Sequence, residues 1–585
     1  MQGEYRGDFT RDTFNPAKHF SRVLMQQGRV QLDADWNEQA AILLHRLRRQ
    51  AADLIGQHGG AGTSFQLEQL KIDFPAGTTL QGDFIIDPGD YYVDGILCEN
   101  NNPVLTVQPY PSTQQNGNTS QVAVIAGFNS QSPAALASKY VELSSDNFVS
   151  VKRVIVSAVD STGLILTLPA SLSMFGFTSQ QSLSLRRLTT YLNQPDRPVP
   201  GPAGNNNPAL ANYLVYLDVW ERHLTCVEDG WIREVALGGP DTATRAKVVW
   251  QVKAIPGSTV SDGLSGLTSA SPAKDRDAWF QSTWPKWLKF WQPDNRGLLK
   301  ARVQPQPVST DPCTMSPSSS YRGAENQLYR VEIHGTGGAS TTLDANGNPT
   351  VDGTGATFKW SRENGSVIFP ILNLPANSTI VGVAHLGRDE RLSLTEGDWV
   401  EVVDDDYALS GATTARLYLV QLVDRVNLQV TVTPALSGLT GTVPGKHPFL
   451  RRWDQKSGDP TQNGLTLQQA TGAAFVEEST ANAPNWLNLE DGIQIQFQPG
   501  GSYRAGDYWL IPARVATGDI EWPRLRDAQG NLIMEAASGQ PVPDALPPHG
   551  VEHHYAPLAV LFTDPSTGVP TDLRRTFTGV ATQAT

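Results

Sequence analysis

The chain has 585 residues, 45 Lys and Arg against 58 Asp and Glu, a net charge of −13 at pH 7 and only 18% charged residues. That length suits several domains of ~100–200 residues. Its 39% hydrophobic residues and 14 Trp exclude disorder, and the acidic balance excludes a nucleic-acid binder that works by neutralising phosphates.

Residues 1–31 read as an extended docking arm, aromatic and basic (Phe9, Arg11, Phe14, His19, Phe20, Arg22) and without a core of its own. The first residues lack the apolar stretch of a signal peptide, and no apolar run approaches the ~18 residues of a membrane span. The chain is therefore expected to be made soluble in the cytoplasm, with cell lysis as an exit that needs no signal.

Segment 32–60 carries the one helix the pattern predicts, over about 35–55. Asp35 caps the free N–H groups, Glu38 stands three residues on, and Gly56 stops the helix. Ala40, Leu43, Leu47, Ala51 and Leu54 share one apolar face, the mark of an amphipathic helix.

From residue 61 onward period-two alternation and turn residues take over. Segment 61–200 reads as a β domain that ends in a short helix over 183–192, and 201–208 is the clearest loop. Segment 209–335 reads as a second β domain, interrupted by a Trp-rich loop at 257–320 that holds Trp279, Trp284, Trp287 and Trp291. Segments 336–470 and 471–585 read as two more. The fold class is mainly β and multidomain, built of sandwich- or barrel-like modules, with one N-terminal amphipathic α-helix.

Candidate chemistry is sparse. His549, His553 and His554 are the densest histidine group, but Pro547, Pro548 and Gly550 oppose the helix that a zinc pair at i, i+4 needs. Asp404, Asp405 and Asp406 are adjacent on an extended segment and point to opposite faces, which fits a solvated turn better than a cation site. The loop from Asp344 to Asp352 begins like a calcium loop but has Pro where the sixth position demands Gly. Cys98, Cys226 and Cys313 are far apart and odd in number, which fits free thiols. No nucleotide, cofactor or nucleophile motif is present, so no catalytic residue, metal or cofactor is expected. Trp284, Trp287 and Trp291, with Arg451, Arg452 and Trp453, have the composition of assembly surfaces and are, with the arm residues, the expected partner contacts.

Several blocks resemble one bacterial family of unknown function, the DUF6519 family. They are residues 7–19 and 24–39, with the blocks 91–99, 216–222, 233–245, 325–334, 358–366 and 506–514. The resemblance covers about 7–560. It implies association with phage-tail-like contractile injection systems, and hence a non-enzymatic structural component at the baseplate or another tube end, held by sibling subunits in a homo-oligomer or symmetric assembly. The alternative is a surface module that recognises glycan or a membrane-bound target through exposed aromatics.

Overall fold

Alternating apolar residues bounded by Gly, Asn and Asp turns make strands, and strands make most of this structure. The computed structural model describes residues 5–71, 79–110, 119–127, 133–178, 181–198, 212–294, 296–305, 320–343, 349–351, 353–375, 377–411, 416–438, 440–479, 484–536, 538–562 and 570–578. The expected loop at 201–208, most of the 344–352 loop and Cys313 lie outside the described residues. Four α-helices occur among those described: α1 (Asp33–Ile55), α2 (Ala273–Ser282), α3 (Trp284–Trp291) and α4 (Asp405–Ser410). None is long and apolar enough to cross a membrane.

The chain folds as two compact units, each assembled from separated segments. One comprises 1–45, 221–247 and 293–552, the other 46–220, 248–292 and 553–585.

In the first unit six antiparallel strands close into a barrel, in the order Ile368–Asn373, Ile380–Val383, Gln429–Thr433, Tyr418–Asp424, Trp399–Val403, Phe449–Trp453. The pattern dictates the closure. Val381 and Val383, Val400 and Val402, and Val430 and Val432 alternate with polar neighbours and fill one interior, and closure removes every unpaired edge. Beside it runs a five-stranded sheet, ordered Ala474–Phe475, Thr357–Ser361, Gln327–Gly335, Tyr508–Arg514, Asp519–Ile520. Its core holds Tyr329, Val331, Phe358, Trp360 and Trp509.

In the second unit a seven-stranded sheet buries Leu105 and Val107, Val122 and Val124, and Leu183 and Leu185 on one face. The helix expected over 183–192 is instead the strand Leu183–Arg187 followed by one 3-10 turn, Tyr191–Asn193. Its alternating leucines pair with strands on both sides. The segment Tyr213–Val219 pairs antiparallel with His554–Leu561.

The Trp-rich stretch is not a bare loop. It forms α2 and α3, with Pro285 in the first turn of α3, where its missing N–H costs nothing. Trp279 and Trp287 each donate their indole N–H to the Gly263 carbonyl at 3.0 Å. With Trp284 they pack on Leu214, Tyr216, Val560 and Leu573.

Helix α1 lies where the pattern puts it, but its apolar face does not turn inward. Ala34 and Ile42 are its buried residues, whereas Leu43, Leu47 and Leu54 are 52%, 64% and 79% exposed. Polar anchors choose the inner face. Thr10 donates to Asp33 (N–H to Oδ2, 2.8 Å), the Thr13 hydroxyl to Glu38 at 2.7 Å, and the Phe14 ring lies 5.7 Å from that of His45.

Candidate functional site

Both faces of the strand Gln327–Gly335 are buried. Tyr329, Val331 and Ile333 face the core, so Arg330, Glu332 and His334 must share the other side, since side chains alternate. Buried charge is costly unless it is paired and hydrogen-bonded. Here it is paired repeatedly. Glu332 takes Arg330 Nε at 2.6 Å, Arg6 at 2.9 Å and Lys359 Nζ at 3.4 Å. Lys359 reaches on to Glu401 at 2.8 Å, and Glu401 accepts the Tyr407 hydroxyl and the Trp453 indole N–H, each at 2.9 Å. The Arg330 guanidinium lies 3.6 Å from the Tyr508 ring centroid, and the Lys359 ammonium 4.3 Å from that of Trp453. Burial would raise both carboxyls, but Arg6, Arg330 and Lys359 hold Glu332 well below the usual carboxylate range, and Lys359 draws Glu401 down to about 2. Glu332 and Glu401 are therefore ionised at neutral pH and hold the surrounding cations as a clamp.

What the clamp holds is the arm. Arg6 is one of its members. The Tyr5 hydroxyl donates to Glu221 at 2.7 Å, Asn364 donates to the Gly7 carbonyl at 2.9 Å, and Arg330 to the Tyr5 carbonyl at 3.3 Å. Phe9 and Tyr5 meet the His223 ring edge-on, at 6.2 and 6.3 Å between centroids. At Gly7 a Cβ would run into the Phe9 ring, so any larger residue would displace that ring from its place. Arg11 pairs with Glu521 at 3.1 Å. His223 is driven down to about 3 by burial and by Arg451, Arg6, Arg330 and Arg222.

Beyond Phe14 the arm changes character. Asn15 caps the short turn Pro16–Lys18, and His19 and Arg22 are exposed. Phe20, Leu24 and Val30 are 53%, 69% and 84% exposed, and Met25 and Leu32 are open too. Of the six arm residues expected at a partner surface, Phe9, Arg11 and Phe14 thus lie on the chain's own body, and His19, Phe20 and Arg22 face outward.

The other expected contacts are placed inward. Trp284 and Trp287 are 2% and 0% exposed, and Trp291 stacks on Tyr555 at 4.5 Å. Arg451, Arg452 and Trp453 lie on a barrel strand. There Arg452 pairs with Glu363 at 2.9 Å and Asp454 at 3.2 Å, and Arg451 donates to the Gly365 carbonyl. Pairing consumed the composition that suggested an exterior role.

A cleft of about 790 Å³ opens beside the arm, lined by Asp8, Phe9, Glu325, Glu363, Arg391 and Arg514 among others. Glu363 is raised to about 7 by burial and Asp454, against Arg452, Arg362 and Arg391. Arg391 binds Glu363 at 3.2 Å and Glu325 at 2.6 Å, so these lining charges are engaged with one another.

The aspartate triplet is likewise engaged. Asp404 caps α4 and also accepts from the Gly441 N–H at 2.8 Å, Asp405 binds Arg222 at 2.8 Å and His447 at 2.7 Å, and Asp406 binds Lys446 at 3.0 Å. His549 packs on Tyr508, while His553 meets Asp218 at 2.6 Å and His554 meets Asp94 at 2.8 Å. Among the described residues no three His, Cys, Asp or Glu side chains converge on a metal position. Cys98 is buried and Cys226 partly so, both free.

Sequence reasoning missed Tyr5, Arg6, Glu332, Lys359 and Glu401. For the last three the available signal was a charge flanked by apolar residues, in Leu328–Ile333, Phe358–Trp360 and Trp399–Val403.

A family model described as Family of unknown function (DUF6519) matches residues 5–142, 152–278 and 294–583. No curated protein matches the chain.

Proposed function

The chain belongs to the DUF6519 family, and on that premise we propose that it is a non-catalytic structural component of a phage-tail-like contractile injection particle, seated at the baseplate and held by sibling subunits. The injection-particle context rests on the family resemblance. The mode of action rests on one observation, the open apolar and basic stretch from residue 15 to 32 that follows an arm segment clamped into the body. It carries Phe20, Leu24, Met25, Val30 and Leu32 in the open, beside the exposed cations Lys18, Arg22 and Arg29. Apolar surface of this kind marks a contact with something else, and a rigid anchor behind it lowers the entropy lost on docking.

Electron microscopy of material co-purified with the tagged chain tests the reading. The expected result is tubular or syringe-like particles that carry the chain, lost when Phe20, Leu24 and Val30 are all replaced by Ser. Isolated monomers, or normal incorporation of the triple variant, overturn it.

A second reading has its own observation. Trp231 is 96% exposed on a short turn, near Val235 and Leu237 at 83% and 66%. An open indole suits stacking on a sugar ring. Retention on a glycan array, abolished by Trp231→Ala, is the outcome that would favour surface recognition.

A further inference from the structure

Helix α1 is one continuous helix from Asp33 to Ile55. At 3.6 residues per turn, successive residues lie 100° apart. Ala34, Ile42, His45 and Ala52 therefore share one side, and Trp36, Leu43, Leu47 and Leu54 lie about half a turn away. Ala34 and Ile42 are buried, whereas Trp36 is 74% exposed and the three leucines are all open. The helix has two faces with different jobs. Polar anchors to its own arm satisfy one, and an apolar line with no partner in the described structure runs down the other.

The spacing of that line is diagnostic. Trp36, Ala40, Leu43, Leu47, Gln50 and Leu54 follow one another at intervals of 4, 3, 4, 3 and 4 residues, the a and d positions of a heptad repeat, which pack knobs into the holes of another helix. The line also reads the same from both ends. If a second copy of the helix runs antiparallel, Trp36 meets Leu54 of the partner subunit, Leu43 meets Leu47 of the partner subunit, and Ala40 meets Gln50 of the partner subunit. The large residues oppose large ones at the centre and both ends, and the one polar residue opposes the smallest. Such self-matching is what a two-fold interface requires, and antiparallel alignment also sets the helix dipoles in opposition.

We propose that the outward face of α1 is a homodimerisation seam, occupied by α1 of a second copy in antiparallel register. The seam stands on the geometry of the helix and is independent of the injection-particle reading.

Analytical ultracentrifugation of the purified full chain tests it apart from any particle. The chain should show a concentration-dependent dimer, and Leu43→Asp with Leu47→Asp should raise the dimer Kd by more than about tenfold. Both sites are exposed, so below the dimer Kd, where both chains are monomers, the thermal melt of the variant should match that of the parent. Engineered cysteines report the register without that variant. Leu44→Cys, beside the two-fold centre, should cross-link to itself on oxidation. Leu54→Cys should cross-link only to Trp36→Cys. Arg46 also flanks the centre in both copies, so an Arg46→Glu chain should pair with the unaltered chain better than either pairs with itself. A chain that stays monomeric at every concentration overturns the proposal. So does self-cross-linking of Leu54→Cys, which signals parallel helices, or binding of a monomer to anionic vesicles that Leu43→Asp abolishes.

Discussion

Residues 5–14 hold Tyr5, Phe9 and Phe14 with two Arg and two Asp, residues 15–32 hold Phe20 with Lys18, Arg22, Arg29 and no acid, and the two stretches have opposite fates. In the first stretch Arg6 finds Glu332 and Arg11 finds Glu521, while Phe9 and Phe14 meet His223 and His45. In the second, no carboxylate lies within ion-pair distance of Lys18, Arg22 or Arg29 among the described residues, and Phe20 and Leu24 stay open. Composition therefore sets what a segment is able to bind. The acids within reach decide whether that capacity is spent inside the chain or left for another molecule.

The sharpest way to break this contrast is to remove the acid that anchors the first stretch. Glu332→Ala leaves Arg330 buried without its counter-charge and Lys359 with Glu401 alone, and should cost about 3–5 kcal/mol in urea unfolding. A loss under about 1 kcal/mol would mean that the clamp contributes nothing. Cutting away residues 1–30 removes Arg6 along with the exposed stretch and would destabilise the body too.

Acid should loosen the first stretch and leave the second alone. His223, which meets the docked arm, sits at about 3 in the folded chain, against about 6.5 in the unfolded one. Its contribution is therefore complete above pH 6.5 and falls as pH drops below that value. At pH 5 the loss is about 2 kcal/mol by linkage. Limited proteolysis from pH 8 to pH 5 should show cleavage rising within residues 5–14, and His223→Phe should flatten that rise. A profile unchanged by the substitution would count against this assignment.

Arg11→Ala removes a half-exposed pair and should cost less than about 1 kcal/mol in the same unfolding assay. Smallest of all, Phe20→Ser and Leu24→Ser should change stability by no more than about 0.5 kcal/mol. A large destabilisation there would show that the second stretch is also part of the core.

The strand-and-turn pattern and the position of α1 were legible because both depend on local periodicity. The orientation of α1 was not, since the inward face is chosen by Thr10, Thr13 and Phe14, which reach it from elsewhere in the chain. The Trp-rich segment was misread because Pro272 and Pro285 look like loop punctuation, yet each stands at the start of a helix. The charged clamp was hidden for a different reason. Arg330, Glu332 and His334 alternate with apolar residues as a solvent face would, and only the barrel residues Glu401 and Trp453, with Arg6, turn that side into an interior.

The pairing of Tyr213–Val219 with His554–Leu561 bears on synthesis. Some 330 residues separate the two strands, so at 5–20 residues per second the ribosome needs roughly 20–70 s to supply the second one. Throughout that time a nascent strand rich in Tyr, Leu and Val has a bare edge, which invites pairing with neighbouring chains. The unit that contains it closes late, after most of the other has emerged. Its yield in the cell should depend on chaperone holding and on the rate of translation far more than its final stability would suggest.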